Sequence, residues 1–329
     1  MRIAFRVDGG IGIGLGHINR SLVLASFFKK YSDVIFISQR ASTFESGVKL
    51  ICQAGFEVVL FDSFMEFDKI SSLNIDILIT DSYLTDATYL KKTSNLIPLT
   101  GVIDDNAEKR GVFDFLINHN YYAKQLDYSY LPEFTKLFLG HNYLMLRPVF
   151  FNSTPIEVKK DVENVLITVG GSDDFDITSQ IINSLSKQTE YSFHVVIGPA
   201  FKKYEHLLTI DYPNIKMHIS PDMPLLMEDM DIAISSCGTT VYELLKLGIP
   251  TIAFKVADNQ DMLLKTLADS GLVLKLDSFS DITKLLEELM DYRTRNCIHT
   301  EVLKEFTDSK LEQLAEQVIE LFVNKQRKG

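Results

Sequence analysis

The chain has 329 residues, 46% of them hydrophobic and 23% charged, a balance that excludes a disordered, collagenous or coiled-coil protein. That length predicts two domains of roughly 150 residues each. With 44 acidic against 33 basic residues the formal charge is −11, which argues against nucleic-acid phosphates or an anionic membrane as the main partner.

In chain order, short β-branched runs at residues 3–7, 33–38, 57–61, 76–80, 98–103 and 113–117 read as strands. An amphipathic stretch at 19–30 reads as a helix. Residues 147–163 carry Pro148 and Pro155, Asn152-Ser153-Thr154 and the charged cluster Lys159-Lys160-Asp161, so they read as a linker. Beyond it, strands are expected at 164–169, 193–197, 215–219, 231–235, 250–254 and 272–276. Helices are expected at 176–186, 281–292 and 300–323. Strands that are apolar throughout and alternate with helices indicate parallel sheets covered on both faces. The expected fold class is therefore α/β, with two doubly wound, Rossmann-like domains (1–150 and 160–329) and a ligand cleft between them.

Three scattered cysteines, Cys52, Cys237 and Cys297, fit neither a disulfide framework nor a zinc site. The N-terminus lacks the apolar core of a signal peptide, and no apolar run reaches the eighteen or so residues of a membrane span. A soluble cytoplasmic protein is expected.

The first chemical feature is Asp8-Gly9-Gly10-Ile11-Gly12-Ile13-Gly14-Leu15-Gly16-His17, running from a strand end into a helix start. Glycines let backbone amides approach a ligand, and a helix start suits an anion. His17 stands where a dinucleotide fingerprint has its last glycine, and Asp33 begins the next strand instead of ending it. No nicotinamide cofactor is expected. The positive end of a helix favours a neutral imidazole, and such a ring at a ligand loop is a usable general base. The plain alternative is a helix-capping histidine.

Asp81-Ser82-Tyr83 follows another strand, so Asp81 is placed to orient His17 or a sugar hydroxyl, and Tyr83 to offer its phenol. A strand-terminal turn reads equally well there. Asp104-Asp105 reads as a solvated turn, because adjacent strand-end residues point apart. Gly170-Gly171-Ser172-Asp173 and Ser235-Ser236-Cys237-Gly238-Thr239-Thr240 are further strand-to-helix loops suited to a diphosphate. Glu243 is placed either to hold a ribose diol or to close a capping box with Thr240. Asp258-Asn259-Gln260 reads as a sugar contact or a turn. Cys237 has no adjacent histidine to activate it, and His119, His141, His194, His206, His218 and His299 lack metal spacing and read as solvated or satisfied.

These blocks together resemble the PseG/SpsG family of UDP-sugar hydrolases of pseudaminic acid synthesis. The resemblance runs from Arg6-Val7-Asp8-Gly9-Gly10 and Ile13-Gly14-Leu15-Gly16-His17-Ile18-Asn19-Arg20 through Asp81-Ser82-Tyr83, Ile103-Asp104-Asp105 and Asn118-His119-Asn120. It continues with Tyr143-Leu144-Met145-Leu146-Arg147-Pro148, Val169-Gly170-Gly171-Ser172-Asp173, 235–243 and Ala257-Asp258-Asn259-Gln260. The last two blocks are also similar to MurG-type glycosyltransferases. The resemblance implies the GT-B architecture, UDP held mainly by the second domain, and no cofactor or metal. It implies that His17 activates water, with Tyr83 positioning sugar or water. It assigns Asp8, Gly14, Gly16, Arg20, Asp81, Arg147, Asn259 and Gln260 to the substrate. Gly170, Gly171, Ser172, Ser236, Gly238, Thr239 and Glu243 go to the nucleotide. Cys237 departs from the family's more usual glycine. The expected partner is a small-molecule UDP-sugar, with no nucleic acid and no stable membrane association. The competing readings are a MurG-like transferase, in which His17 deprotonates an acceptor hydroxyl, and a non-catalytic nucleotide-sugar binding protein.

Overall fold

The computed structural model describes every residue except Phe64, Asn152, Ser186 and Gly329. Asn152 of the expected linker, Ser186 at the expected end of a helix and Gly329 at the end of the expected second domain therefore lie outside the described residues. The chain forms two compact units, one of Met1–Arg147 with Ser309–Gly329 and one of Pro148–Asp308.

The first unit runs β1 (Arg2–Val7), α1 (Gly16–Phe28), β2 (Asp33–Gln39), α2 (Glu45–Gln53), β3 (Glu57–Phe61), α3 (Phe67–Ser72), β4 (Ile77–Asp81), α4 (Ala87–Leu96), β5 (Leu99–Ile103), β6 (Phe115–Asn118) and β7 (Lys136–Leu139). These strands make a parallel sheet in the order β3-β2-β1-β4-β5-β6-β7. Every residue of β4, β5 and β6 is buried, as sheets covered on both faces require. Ile18, Leu24, Ala25 and Phe28 give α1 its buried stripe.

The second unit runs β8 (Asn164–Thr168), α5 (Ile177–Leu185), β9 (Ser192–Ile197), β10 (Ile215–Ile219), α6 (Met223–Glu228), β11 (Ile232–Ser236), α7 (Thr239–Lys246), β12 (Thr251–Phe254), α8 (Asp261–Asp269), β13 (Leu274–Lys275), α9 (Ile282–Met290) and α10 (Tyr292–Phe306). Its sheet is also parallel, in the order β10-β9-β8-β11-β12-β13. The expected linker is held to this unit. The buried Arg295 guanidinium donates to the carbonyls of Lys159 (2.9 Å) and Lys160 (2.8 Å), and to Leu289 (2.6 Å) and Met290 (2.8 Å) at the end of α9.

The helix expected at 300–323 is two helices. The polar run Thr307-Asp308-Ser309-Lys310 offers no apolar residue to continue the buried stripe, and its short side chains compete for backbone groups. The chain restarts as α11 (Leu311–Lys328), which rejoins the first unit against α1 and so takes the end of the chain out of the expected second domain. Leu311, Leu314, Ala315 and Val318 of α11 are fully buried, and Glu312 pairs with Lys30 at 2.5 Å. No described helix is long and apolar enough to cross a membrane. Leu314→Ala should cost about 2–5 kcal/mol and lower the denaturant midpoint of the first unit, read by urea unfolding.

Candidate active site

The site in the first unit begins where β1 enters the glycine loop. Gly10 has φ +154°, and a Cβ there would lie 2.0 Å from the Thr43 carbonyl oxygen, so a side chain is excluded. The Gly10 and Gly14 amides each donate to the other residue's carbonyl at 2.8 Å, which closes the loop on itself. The following helix, α1, starts without a side-chain cap and without an acidic residue in its first turn. Its positive end is therefore not offset by a side chain of its own first turn.

His17 lies in that first turn, 8% exposed. Its Nδ1 is 2.6 Å from Oδ1 of Asp81, the last residue of β4, which is 1% exposed. Arg20, three residues along α1 and on the same face, donates Nη2 to Asp81 Oδ1 at 2.6 Å and Nε to Oδ2 at 2.7 Å. Ser21 adds a hydroxyl bond to Oδ2 at 3.2 Å. Through Nη1, Arg20 also donates to both oxygens of Asp105, at 2.8 Å each.

Burial by itself would raise the Asp81 carboxyl, but the charge and hydrogen bonds of Arg20, with the bond from His17, hold it well below the usual carboxylate range. Asp105 is also lowered, burial again opposing and Arg20 prevailing. An ionised carboxylate only accepts, so His17 Nδ1 is the donor in this bond, and in a neutral ring the lone pair then falls to Nε2. The Tyr83 and His17 rings meet nearly at right angles, their centroids 4.6 Å apart, and the Tyr83 hydroxyl is 3.5 Å from Asp105 Oδ2. Burial, then the Asp105 charge, pushes the Tyr83 phenol up to about 12, so it is a neutral donor at pH 7.

His17, Arg20, Asp81 and Tyr83 are thus brought together. Asp8 is not part of this group. It is 1% exposed, pairs with Arg6 at 2.7 Å, and accepts from Ser38 Oγ (3.1 Å) and the Gln39 amide (2.7 Å). Gly14 spends its amide on Gly10, Gly16 opens α1, and Arg147 is exposed at the end of the first segment.

The solvated turn expected at Asp104-Asp105 is overturned. Asp105 anchors Arg20, and Asp104 accepts from the amides of Asn106 (3.2 Å) and Lys109 (2.7 Å). His119 is partly exposed, but one of its ring nitrogens departs from expectation. Its Nδ1 is buried without a hydrogen-bond partner among the described residues. Burial, reinforced by the Arg20 charge and opposed by Asp105 and Asp81, lowers the His119 ring to about 4. Asn118 and Asn120 on either side of it donate to the Asp105 carbonyl (2.9 Å) and carboxylate (3.0 Å). Sequence reading passed over Asp105 because its partner is Arg20, eighty-five residues away, and over His119 because its state is set by burial and by the Arg20 charge.

In the second unit, β8 and β11 are neighbours and their loops meet. A Cβ on Gly170 would lie 3.5 Å from Ser236 Oγ, and one on Gly238 would lie 3.6 Å from Gln260 Nε2. Asp173 already caps α5 by accepting from Ile177 and Thr178 amides at 2.8 Å each, so an anion there would meet a carboxylate. By contrast α7 starts at Thr239 with Gly238 as its cap residue, no side-chain cap and no first-turn acid. Its N-terminus is therefore free of the carboxylate that occupies the start of α5. Ser172, Thr239 and Asn259 are exposed, whereas Ser236 and Glu243 are buried. Burial pushes the Cys237 thiol up to about 12, away from any nucleophilic role. Among the described residues no group of three His, Cys, Asp or Glu side chains is arranged to hold a metal ion.

Residues 164–318 match the glycosyltransferase family 28 C-terminal domain. The chain is 29% identical over 269 residues to uncharacterized protein MJ1062 of Methanocaldococcus jannaschii, covering 77% of this chain and 55% of that one. It is 25% identical to the spore coat polysaccharide biosynthesis protein SpsG of Bacillus subtilis, covering 84% of each. It is 28% identical to the UDP-2,4-diacetamido-2,4,6-trideoxy-β-L-altropyranose hydrolase of Campylobacter jejuni, over 82% of this chain and 97% of that one. In fold it is similar to MurG of Acinetobacter baumannii, with TM-score 0.69 and 14% identity over 97% of this chain and 99% of that one. The two-sheet α/β architecture is that of the GT-B glycosyltransferases.

Because His119 is lowered from about 6.5 to about 4, the unfolded chain binds its proton first as pH falls. Its contribution is intact above pH 6.5 and lost progressively towards pH 4. Between pH 7 and 5 this should cost about 1–2 kcal/mol in the wild type and less in His119→Gln, read by urea unfolding at the two pH values.

Proposed function

We propose that this chain, a homologue of SpsG and of the Campylobacter hydrolase that carries a family 28 C-terminal domain, is a UDP-sugar hydrolase. The substrate class is a UDP-linked 2,4-diacetamido-2,4,6-trideoxy sugar of the pseudaminic acid type, and the products are the free sugar and UDP. The observation that carries this reading is the 2.6 Å contact between His17 Nδ1 and the ionised Asp81.

Water attacks the anomeric carbon while His17 Nε2 takes its proton. The bond from that carbon to the β-phosphate oxygen breaks, and its electron pair leaves with UDP. A diphosphate is a stable anion, so departure needs electrostatic support more than an acid. The open N-terminus of α7, with Gly238 and Thr239, supplies that support in this reading. Asp81 holds the His17 tautomer and stabilises the imidazolium that forms, and Arg20 keeps Asp81 ionised. Tyr83 lends a neutral hydroxyl to the sugar or the water. Glu243, Asn259 and Gln260 take up the nucleotide and its attached sugar.

The second reading, a transferase in which Nε2 deprotonates an acceptor hydroxyl, is favoured by the family 28 match and the likeness to MurG. Incubation with UDP-sugars and no acceptor separates the two. The hydrolase releases UDP and free sugar, and absence of release across the diacetamido sugars rejects it. His17→Ala should lower kcat by about 10²–10⁴-fold while UDP affinity by calorimetry stays unchanged. Asp81→Asn should depress kcat more than KM, since the tautomer is lost while the pocket remains. Full turnover in His17→Ala would remove the base from the mechanism.

A further inference from the structure

The turn after β4, Ser82-Tyr83-Leu84-Thr85, carries Tyr83 with 60% of its surface exposed, so packing does little to hold the ring. On one side it meets His17, and its hydroxyl reaches Asp105 only at 3.5 Å, the far limit of a hydrogen bond. On another side Tyr83 forms part of the wall of a cavity of about 240 Å³, together with Thr85, Asp86, Leu90, Asp104 and Lys109. A void of about 150 Å³ is enough for benzene, so a phenol ring released from His17 has room to turn into this one.

The turn is held by a lysine from the loop of the neighbouring strand. β5 pairs with β4 and ends at Ile103. The buried carboxylate of Asp104 then takes the Lys109 amide at 2.7 Å, which fixes the backbone from which the lysine side chain starts. Lys109 Nζ reaches across and donates to the Ser82 carbonyl (2.7 Å), the Thr85 carbonyl (3.0 Å) and Thr85 Oγ1 (3.3 Å). An ammonium has three protons and no lone pair, so all three donors are spent on the two ends of this one turn. The Thr85 hydroxyl closes the same turn by donating to the Ser82 carbonyl at 3.0 Å. Bonds from a charged donor are stronger than neutral ones, and these bracket Tyr83 from both sides in sequence.

We propose that Lys109 is a positioning residue: its ammonium fastens both ends of the turn, so that Tyr83 stays against His17 and out of the adjoining cavity. The role given to Tyr83 rests on the UDP-sugar reading above. Lys109 acts through the backbone of the turn and takes no part in proton transfer.

A residue that merely stabilised the unit would lower its urea midpoint and leave the turnover of folded protein alone. Lys109→Met should instead lower kcat of folded protein by about ten- to a hundredfold, read as UDP release from a UDP-2,4-diacetamido-2,4,6-trideoxy sugar, with UDP affinity by calorimetry unchanged. Lys109→Arg, which keeps the charge and the reach, should recover part of the loss. Placed on Tyr83→Phe, Lys109→Met should cost little further, because the hydroxyl it positions is already gone. Wild-type kcat in folded Lys109→Met, or a loss that adds in full to that of Tyr83→Phe, overturns the assignment.

A spectroscopic arm needs no turnover. Cross-relaxation between labelled Tyr83 and His17 rings should be seen by NMR in the wild type and in Lys109→Arg, and be lost in Lys109→Met. If Lys109→Met does not fold, Lys109→Gln, uncharged and one atom shorter, takes its place with the same expected loss. A contact that persists in either folded neutral variant, or is absent from the wild type, contradicts the proposal. Failure of the hydrolase reading shows separately, as folded wild-type protein that releases no UDP while the Tyr83–His17 contact still depends on Lys109.

Discussion

The first unit's site depends on one buried carboxylate. Asp81 has lost nearly all contact with water and remains ionised because Arg20 grips both of its oxygens and His17 donates to one of them. A carboxylate taken out of water is tolerated only with such partners. Each partner is in turn committed by the bond. His17 is held in one tautomer, and Arg20 is aimed so that its remaining nitrogen captures Asp105. Loops after β1, β4 and β5 are thereby locked to one another by charge, and the segment after β6 hangs on Asp105.

Topology explains why the groups converge there. In the first sheet, β1 lies between β2 and β4, so the chain leaves β1 towards one edge and returns to the other side of it. Doubly wound sheets bind ligands at such a switch point, at the carboxyl ends of the strands. His17 follows β1 and Asp81 ends β4. The second sheet repeats the arrangement with β8 and β11, whose loops contribute Gly170 and the segment from Ser236 to Thr239. Each unit thus has one place where its sheet opens. One of these carries the His17–Asp81 pair, the other a helix that starts without a side-chain cap.

The fold was largely legible because its strands are continuous apolar runs bounded by polar turns. Residues 57–61 and 215–219 were readable to the residue. The strand β7 was missed because Lys136-Leu137-Phe138-Leu139 is short and stands outside any strand–helix alternation. The return of α11 was unreadable, since an amphipathic stripe says that a helix packs but not against which partner. In the site, His17, Asp81 and Tyr83 could be found from strand-end and helix-start positions, and Arg20 only through the family resemblance. Asp105 and His119 could not, because their state is set by Arg20 and by burial. No local pattern distinguishes a solvated Asp-Asp turn from one that anchors a guanidinium.

The central claim is that Asp81 fixes His17 with the proton on Nδ1 and the lone pair on Nε2. Nitrogen-15 NMR of ring-labelled histidine, assigned by comparison with His17→Asn, reads this directly at neutral pH. The account predicts a protonated Nδ1 and an unprotonated Nε2 for His17 in the wild type, and loss of that preference in Asp81→Asn. A proton resident on Nε2 in the wild type, with Nδ1 unprotonated, would contradict it.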